Sequence, residues 1–273
     1  MKSATQKTFY RKWTNINKAS AGRVLGAIAL TLFGLTACAA PPTESAADSA
    51  PTEAPTEVPT EADAAPTDAA AEEAAKRAEW EAQMATIREV LDGKDRADLI
   101  SNAATKGPAD ADVILIKFSD FECPFCAVAA ADMKDFTEAH SDDVLYVYKH
   151  FPLTSIHDEA MPAAKATWAA AQQDQFWIYH DGLFAYQEKL GEDYYVELAE
   201  QVGLDVEQFN RDRNSPEAQA AVEADLALAK DLNLRGTPSF LMTNLTDSIL
   251  LPGGAPQELY AEALERLKAS AAQ

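Results

Sequence analysis

The chain has 273 residues, of which 47% are hydrophobic, and it carries a formal net charge of −21 at pH 7. The apolar fraction is sufficient for one core of enzyme size. A charge this negative repels phosphate backbones and therefore argues against nucleic acid as a partner.

Residues 1–37 predict a signal peptide, because a basic start precedes the apolar run Val24 to Ala37, which is too short to span a bilayer. The sequence Leu35-Thr36-Ala37-Cys38 at its end resembles the bacterial lipoprotein signal. This resemblance implies that Cys38 is lipidated and that the protein is extracytoplasmic and anchored to a bacterial membrane by the lipid. Ordinary cleavage after Ala39, which would give a soluble secreted protein, is the alternative.

Residues 38–71 predict a disordered tether. They are mainly Ala, Pro, Thr, Glu and Asp, with no aromatic residue and with six prolines between positions 39 and 71. Such a segment cannot bury enough surface to fold, and proline with like charge keeps it extended. A spacer directly after Cys38 suits a membrane anchor.

An N-terminal helical extension is predicted over residues 72–104. Within it, a helix from about Ala71 to Leu91 places Trp80, Met84 and Ile87 on one face together with Leu91. The stripe lasts barely three turns, so packing on the following domain is favoured over a coiled coil.

A β-α-β unit opens the domain predicted over residues 105–273. Residues 112–118 are apolar and β-branched, as in a central strand covered on both faces. Pro124 suits the first turn of a helix that continues from Cys126 to about Ala139, and residues 144–148 predict the next strand. The two cysteines, Cys123 and Cys126, therefore stand at a helix N-terminus.

A helical insertion is predicted over about residues 154–233. Four apolar stripes at helical spacing occupy residues 161–171, 176–190, 194–202 and 218–232. Two further strands, residues 239–243 and 249–251, and a last helix over residues 256–268 complete an α/β domain.

The spacing of Cys123 and Cys126 predicts redox chemistry. Two cysteines three positions apart on one helical turn share a face and can form a disulfide. The helix dipole and unpaired N–H groups favour the thiolate of the outer residue, Cys123. Cys126 lies one turn further in and is shielded. We therefore predict that Cys123 is the nucleophile and that Cys126 resolves the mixed disulfide.

Other uses of a cysteine pair fit less well. Zinc needs four ligands, and the chain has no second CxxC and no closely spaced histidine pair. Covalent haem requires histidine where Ala127 stands. A structural disulfide stays possible, although so small a loop constrains little of the unfolded chain. We expect no metal and no cofactor apart from a redox-active Cys123–Cys126 disulfide.

Four segments together resemble the DsbA-like thioredoxin family: residues 117–126 (KFSDFECPFC), 149–153 (KHFPL) followed by His157, 175–177 (QFW) and 235–240 (RGTPSF). The resemblance runs from about Lys106 to the C-terminus. It implies a thioredoxin fold with an inserted α-helical domain, disulfide exchange with protein substrates, and a cis peptide bond between Thr237 and Pro238.

The resemblance also suggests how substrates are held. Pro238 would face the redox pair, and the backbone of Thr237 would pair with an extended substrate strand. Phe121, Pro124 and Phe125 adjoin the cysteines and are predicted to contact unfolded clients.

Lys117 departs from the family pattern, which commonly has an acidic residue six positions before the first cysteine. Strand alternation places Lys117 on a face covered by helices. A buried amine there would favour nearby thiolates and could carry a proton to or from Cys126. Alternatively, the long side chain could let its charge reach water.

The predicted activity is disulfide formation in extracytoplasmic proteins, because a compartment without a thiol buffer favours oxidation. An isomerase or reductase, and a non-enzymatic client-binding chaperone module, are the alternatives. Expected partners are unfolded or reduced secreted proteins and, for an oxidase, a quinone-linked membrane protein of the DsbB or VKOR type.

Overall fold

The computed structural model describes residues 68–271. The predicted signal peptide, the lipidation site Cys38 and the predicted tether as far as residue 67 lie outside this range. The first helix begins at Asp68, three residues before the start predicted from the sequence. Its opening residues, Asp-Ala-Ala-Ala, combine an acidic side chain at the positive end of the helix dipole with the strongest helix former.

Nine α-helices and five strands are found within residues 68–271. In chain order they are α1 (Asp68–Leu91), α2 (Arg96–Ile100), β1 (Ala104–Lys106), β2 (Val113–Ser119), α3 (Pro124–Ala139), β3 (Val144–His150), α4 (Ala160–Ala171), α5 (Phe176–Ala185), α6 (Glu192–Val202), α7 (Val206–Arg213), α8 (Pro216–Asp231), β4 (Ser239–Thr243), β5 (Ser248–Pro252) and α9 (Gln257–Ala271), with a 3₁₀ turn at Gln187–Lys189 after α5. The α/β class predicted from the sequence is confirmed.

The five strands form one sheet in the order β1-β3-β2-β4-β5. β2 and β3 are parallel and are joined by α3, as predicted, whereas the other neighbouring strands are antiparallel. In this register Lys117 lies between Tyr148 of β3 and Phe240 of β4. Lys117, the third residue from the end of β2, is therefore flanked by a neighbouring strand on each side.

Every residue of β2 is buried, because helices cover both faces of the sheet. One face, which includes Val113 and Leu115, packs against α3 and α9 through Met133 and Leu264. The opposite face includes Ile116 and packs against the C-terminal half of α1. The near-continuous apolar sequence of β2 follows from this double coverage.

The chain between β3 and β4 is helical and forms a separate cluster around buried tyrosines and alanines of α4, α5 and α6. The sequence patterns predict four of its helices but not α7. That helix buries only Phe209 and Arg213, so it has no apolar stripe to detect. Its N-terminus is capped by Asp205, which accepts a hydrogen bond from the backbone N–H of Gln208.

Helix α1 packs on the domain through Met84, Ile87 and Leu91, which are all buried. Trp80, predicted on the same face, is 54% exposed, because the N-terminal half of α1 extends beyond the edge of the domain. None of the helices within residues 68–271 is both long enough and apolar enough to cross a membrane.

Candidate active site

The N-terminus of α3 places the two cysteines together. Cys123 is the residue before the helix and has extended backbone angles, with φ −71° and ψ 120°, and Pro124 occupies the first turn. The N–H of Cys126 donates to the carbonyl of Cys123 at 3.0 Å. Both cysteines are free thiols; Cys123 is 5% exposed and Cys126 has no exposed surface. The proline thus starts a tight turn that aligns the two sulfur atoms.

The thiol of Cys123 is set up to ionise. Its hydrogen bond with the Cys126 thiol is the largest cause, and burial opposes it. Further hydrogen bonds from Thr237 and from the backbone N–H groups of Phe125 and Cys126 also favour the thiolate, and the pKa of Cys123 falls from an ordinary 9.0 to about 5. Cys123 is therefore mostly a thiolate near neutral pH.

Cys126 has the opposite tendency. Burial, together with its hydrogen bond to Cys123, raises the pKa of Cys126 well above the ordinary thiol value. The backbone N–H of Asp120, 3.5 Å from the Cys126 sulfur, and the charge of Lys117 only partly offset this. The asymmetry predicted from the helix position is present in the structure.

The loop before β4 approaches Cys123 from the other side. The peptide bond between Thr237 and Pro238 is cis, as the family resemblance implied. The Cys123 sulfur lies 3.4 Å from the carbonyl oxygen of Thr237, and Pro238 is buried. Gly253 lies against this proline so closely that a β-carbon would come within 2.4 Å of the Pro238 oxygen. A glycine is therefore required there, a constraint that the sequence patterns did not reveal.

Lys117 lies beneath the cysteine pair and has no exposed surface. Its Nζ donates to the carbonyl oxygen of Cys126 at 3.3 Å. Burial lowers the pKa of Lys117 to about 8, although the nearby Cys126, Asp181 and Cys123 oppose the shift. The alternative in which the charge reaches water is wrong, because β3, β4 and α5 enclose the side chain.

Phe121, Pro124 and Phe125 were predicted to contact clients beside the cysteines. For Phe121 this prediction is wrong. Phe121 is 1% exposed and packs its ring on Tyr148 and Phe184, at centroid distances of 5.5 and 4.8 Å. The turn before Cys123 directs this side chain inward, towards the helical insertion. Pro124 and Phe125 are on the surface, and Phe125 is 73% exposed.

The helical insertion supplies a contact that the sequence gave no reason to expect. Gln187, in the 3₁₀ turn after α5, donates to the carbonyl oxygens of Phe121 at 2.6 Å and Cys123 at 3.0 Å. The amide therefore fixes the backbone on the N-terminal side of the pair. Its partner lies 66 residues earlier, so no local pattern could identify it.

A carboxylate next to the pair organises the loop after β3. Asp120 is buried and accepts hydrogen bonds from the N–H groups of Glu122 and Leu153 and pairs with Nδ1 of His157 at 2.8 Å. Burial opposes the charge on His157, but the hydrogen bond and charge of Asp120 raise the pKa of this imidazole. His157 thus joins the loop to the active-site turn.

A sheet of this topology with a CxxC pair at the start of α3 and a cis-proline loop against it defines the thiol-disulfide exchange class. A family model described as Thioredoxin matches residues 101–245, which is about half of the chain, and the chain therefore belongs to the thioredoxin family. Its structural neighbours include a thioredoxin-like oxidoreductase and a thiol-disulfide exchange protein.

Two solved structures illustrate the fold. A thioredoxin-like oxidoreductase from Silicibacter pomeroyi DSS-3 is 32% identical, with a TM-score of 0.58, over 64% of this chain and 99% of that one. The thiol-disulfide exchange protein alpha-DsbA2 from Wolbachia pipientis is 18% identical, with a TM-score of 0.59, over 70% and 98%. The predicted thioredoxin fold is confirmed.

Curated relatives match about half of the chain. The Na(+)/H(+) antiporter NhaA of Herminiimonas arsenicoxydans is 38% identical over 137 residues, which are 50% of this chain and 22% of that protein. The chain spans about a fifth of the length of the curated relatives it matches.

Proposed function

We propose that this protein is a dithiol oxidase that introduces disulfide bonds into extracytoplasmic proteins through Cys123 and Cys126. A client thiolate attacks the Cys123 sulfur of the Cys123–Cys126 disulfide, and Cys126 leaves as a thiolate with the bonding electrons. A second client thiolate then attacks the client sulfur joined to Cys123. The client gains a disulfide, the protein is reduced by two electrons, and no further cofactor takes part.

The pKa difference between the two thiols is the observation that carries this proposal. In the second step Cys123 is the leaving group, and a thiol with a low pKa leaves fastest. A stabilised thiolate also favours the reduced form of the protein, which makes its disulfide a better oxidant. The side chain of Phe125 cannot hydrogen-bond this thiolate, so we expect a less oxidising pair than in the strongest oxidases.

Lys117 is proposed to handle the proton of Cys126. With a pKa of about 8, the amine is mostly protonated near neutral pH and can protonate the Cys126 thiolate when it leaves. In the reverse direction the neutral amine accepts the thiol proton, and Cys126 can then attack a mixed disulfide on Cys123. The 3.3 Å contact with the Cys126 carbonyl holds the amine on this turn.

The surface around Cys123 supports binding of unfolded chains. Phe125 and Val128, close to Cys123 along the chain, are large apolar side chains exposed by 73% and 61%, and Pro124, between Cys123 and Phe125, is also exposed. Exposed apolar side chains beside a reactive group suit clients that have not yet buried their own core. The backbone of Thr237 would align an extended client strand.

We further propose that Cys38 is lipidated and that residues 39–67 tether the domain to the extracytoplasmic side of a bacterial membrane. A quinone-linked membrane protein of the DsbB or VKOR type would reoxidise the pair there. Intact-mass analysis of the membrane fraction should find a chain that starts at Cys38 and carries diacylglycerol. A soluble chain that starts at Ala40 would instead indicate ordinary secretion.

Alkylation kinetics test the assigned cysteine roles. In reduced protein near neutral pH, iodoacetamide should label Cys123 far faster than Cys126, and the rate should fall as pH drops through about 5. Equal rates for the two thiols would contradict the proposed roles. Equilibration with glutathione buffers then measures the reduction potential and separates an oxidase from a reductase.

A client-binding chaperone is the second candidate, favoured by the exposed side chains of Phe125, Val128 and Ile156. Cys123→Ser separates the two functions. If the variant still suppresses aggregation of a reduced client as well as the unaltered protein, binding is an independent activity. An oxidase alone would lose all disulfide formation with this change.

A further inference from the structure

A buried polar cluster lies behind the cysteine pair. Within residues 68–271, Nδ1 of His150 and Nε2 of His180 are buried without a hydrogen-bond partner, and the hydroxyls of Ser119 and Tyr148 are buried beside each other. The Tyr148 ring contacts both histidines, at centroid distances of 5.2 and 5.1 Å. Buried polar atoms in proteins are nearly always hydrogen-bonded, to protein or to ordered water. This cluster therefore has the polar lining that bound water requires.

Lys117 borders the cluster. Its Nζ lies 5.9 Å from the ring centroid of Tyr148 and 5.0 Å from that of Phe184. The His180 ring packs on the same two side chains, at centroid distances of 5.1 and 4.9 Å. The amine and the imidazole thus share two aromatic neighbours, and the charge of Lys117 helps to lower the pKa of His180.

His180 is held in one orientation by the residue that follows it. Its Nδ1 lies 2.9 Å from Oδ1 of Asp181. Burial opposes ionisation of Asp181, but His180 and nearby lysines hold the pKa of this carboxyl below its ordinary value. The ionised carboxylate requires the proton of the neutral imidazole to be on Nδ1, so Nε2 presents a lone pair to the cluster.

We propose that His180 and Asp181 form the solvent-side end of a proton path that serves Lys117 through water bound among Tyr148, His150 and His180. When Cys126 attacks a mixed disulfide on Cys123, its S–H bond breaks and an N–H bond forms on Lys117. The new S–S bond releases the client as a thiolate. Lys117 then returns to the neutral amine by passing a proton through this water to Nε2 of His180.

The His180 imidazole completes the path by accepting a proton at Nε2 and releasing the proton on Nδ1. Burial lowers the pKa of His180 to about 4, so the ring is neutral and Nε2 is free to accept. As a proton arrives at Nε2, the Nδ1 proton moves towards Asp181, and no lasting imidazolium charge is needed. The Asp181 side chain is 20% exposed and can exchange the proton with solvent.

Other titratable groups face this path from every neighbouring element. They are Lys106 of β1, Lys117 of β2, Cys126 and Lys134 of α3, and Tyr146, Tyr148 and His150 of β3. Burial raises the pKa of both tyrosines well above 10 and lowers that of His150 to about 3. None of these three therefore changes charge between weakly acidic and weakly basic pH, whereas Lys117, with a pKa of about 8, does.

The inference rests on the proposed function, and a two-step assay tests them separately. Reduced protein reacts with dithionitrobenzoate, which releases one coloured thionitrobenzoate when Cys123 attacks and a second when Cys126 resolves the adduct. His180→Gly should leave the first step unchanged and slow the second by about tenfold. Free imidazole should restore the second step, whereas pyrrole, which has the same ring size but no basic nitrogen, should not.

Asp181→Asn keeps the size of the side chain and should also slow the second step severalfold, and it carries the test if the glycine variant does not fold. His140→Phe, at the half-buried C-terminal end of α3, is the control and should behave as the unaltered protein. Unchanged second-step rates in both His180→Gly and Asp181→Asn, or equal rescue by pyrrole and imidazole, would overturn the proton path. Release of only one thionitrobenzoate by the unaltered protein would overturn the proposed function itself.

Discussion

The amine of Lys117 has no exposed surface and lies directly beneath the cysteine pair. Replacing it with methionine keeps the length of the side chain but removes the proton carrier. We expect Lys117→Met to slow resolution of a Cys123 mixed disulfide by about tenfold at pH values above about 8, where the amine of the unaltered protein is neutral. Stopped-flow resolution rates across pH check this, with the exposed Lys94→Met as the control. Equal rates in the two variants would remove Lys117 from the mechanism.

The same substitution should stabilise the fold. The pKa of Lys117 is lower in the folded protein than in the unfolded chain, so burial of the ammonium costs free energy at every pH below about 8, and this cost disappears as pH rises towards 10.5. Near neutral pH, Lys117→Met should raise the free energy of unfolding by up to about 3 kcal/mol. Urea denaturation measures this, and a loss of stability would show that the contact with the Cys126 carbonyl outweighs the cost of burial.

Individual residues differed in how far the sequence could predict them. Cys123, Cys126 and Pro238 belong to short motifs whose geometry is local, and the structure brings these motifs together at the predicted place. Phe121 adjoins the same motif but is buried, because its environment is provided by Phe184, more than sixty residues later. His180 gave no signal, since its partners are set by the packing of α5 on the sheet rather than by spacing along the chain.

At the level of elements, β3 and α8 are joined by a buried ion pair. Nζ of Lys149 lies 2.9 Å from Oδ1 of Asp225, the two side chains are 4% and 5% exposed, and Oδ2 of Asp225 accepts the N–H of His150. Asp225→Asn can still accept that N–H but leaves the ammonium of Lys149 buried without its countercharge. We expect a loss of about 3–5 kcal/mol in the free energy of unfolding.

A second variant separates the stranded charge from any general disturbance. Adding Lys149→Met to Asp225→Asn removes the uncompensated ammonium and should recover most of the lost stability. Glu207→Gln breaks an exposed pair with Arg211 one turn away on α7 and should cost less than about 0.5 kcal/mol. A double variant as unstable as Asp225→Asn would mean that the pair itself holds β3 against α8.

The elements that the sequence predicted best are those with a strong periodic pattern. Strands β2 and β4 and the helices α4 and α6 carry apolar residues at the spacing that their burial requires. The short elements α2 and β1, with five and three residues, offer too few positions for any period to show. Strand β1 exists because it pairs with β3, and this pairing is decided by the tertiary fold.

Across the whole molecule, α1 belongs to the same folding unit as the sheet, because Met84, Ile87 and Leu91 lie in one cluster with β2, β3 and β4. Ile87 has no exposed surface. We expect Ile87→Ala to lower the free energy of unfolding by about 2–5 kcal/mol. Trp80→Ala, on the projecting half of the helix, should change it by less than about 0.5 kcal/mol. A separate, earlier melting of α1 in Ile87→Ala, with the sheet unaffected, would show that the helix is only an appendage.

The Cys123 thiolate at the start of α3 also makes the thermal stability of the protein depend on its oxidation state. A group whose pKa is lowered by folding stabilises the folded protein at pH values above its unfolded pKa. This stabilisation is lost as pH falls to the folded pKa. For Cys123 the unfolded pKa is about 9 and the folded pKa is about 5. Only the reduced protein possesses this group, and the four-residue ring of the disulfide restrains little of the unfolded chain. The reduced protein should therefore melt at a higher temperature than the oxidised protein near neutral pH, with the gap closing towards pH 5 in differential scanning calorimetry. The oxidised protein is thus the less stable form. When a client thiol pair reduces it, the thermal stability of the fold rises.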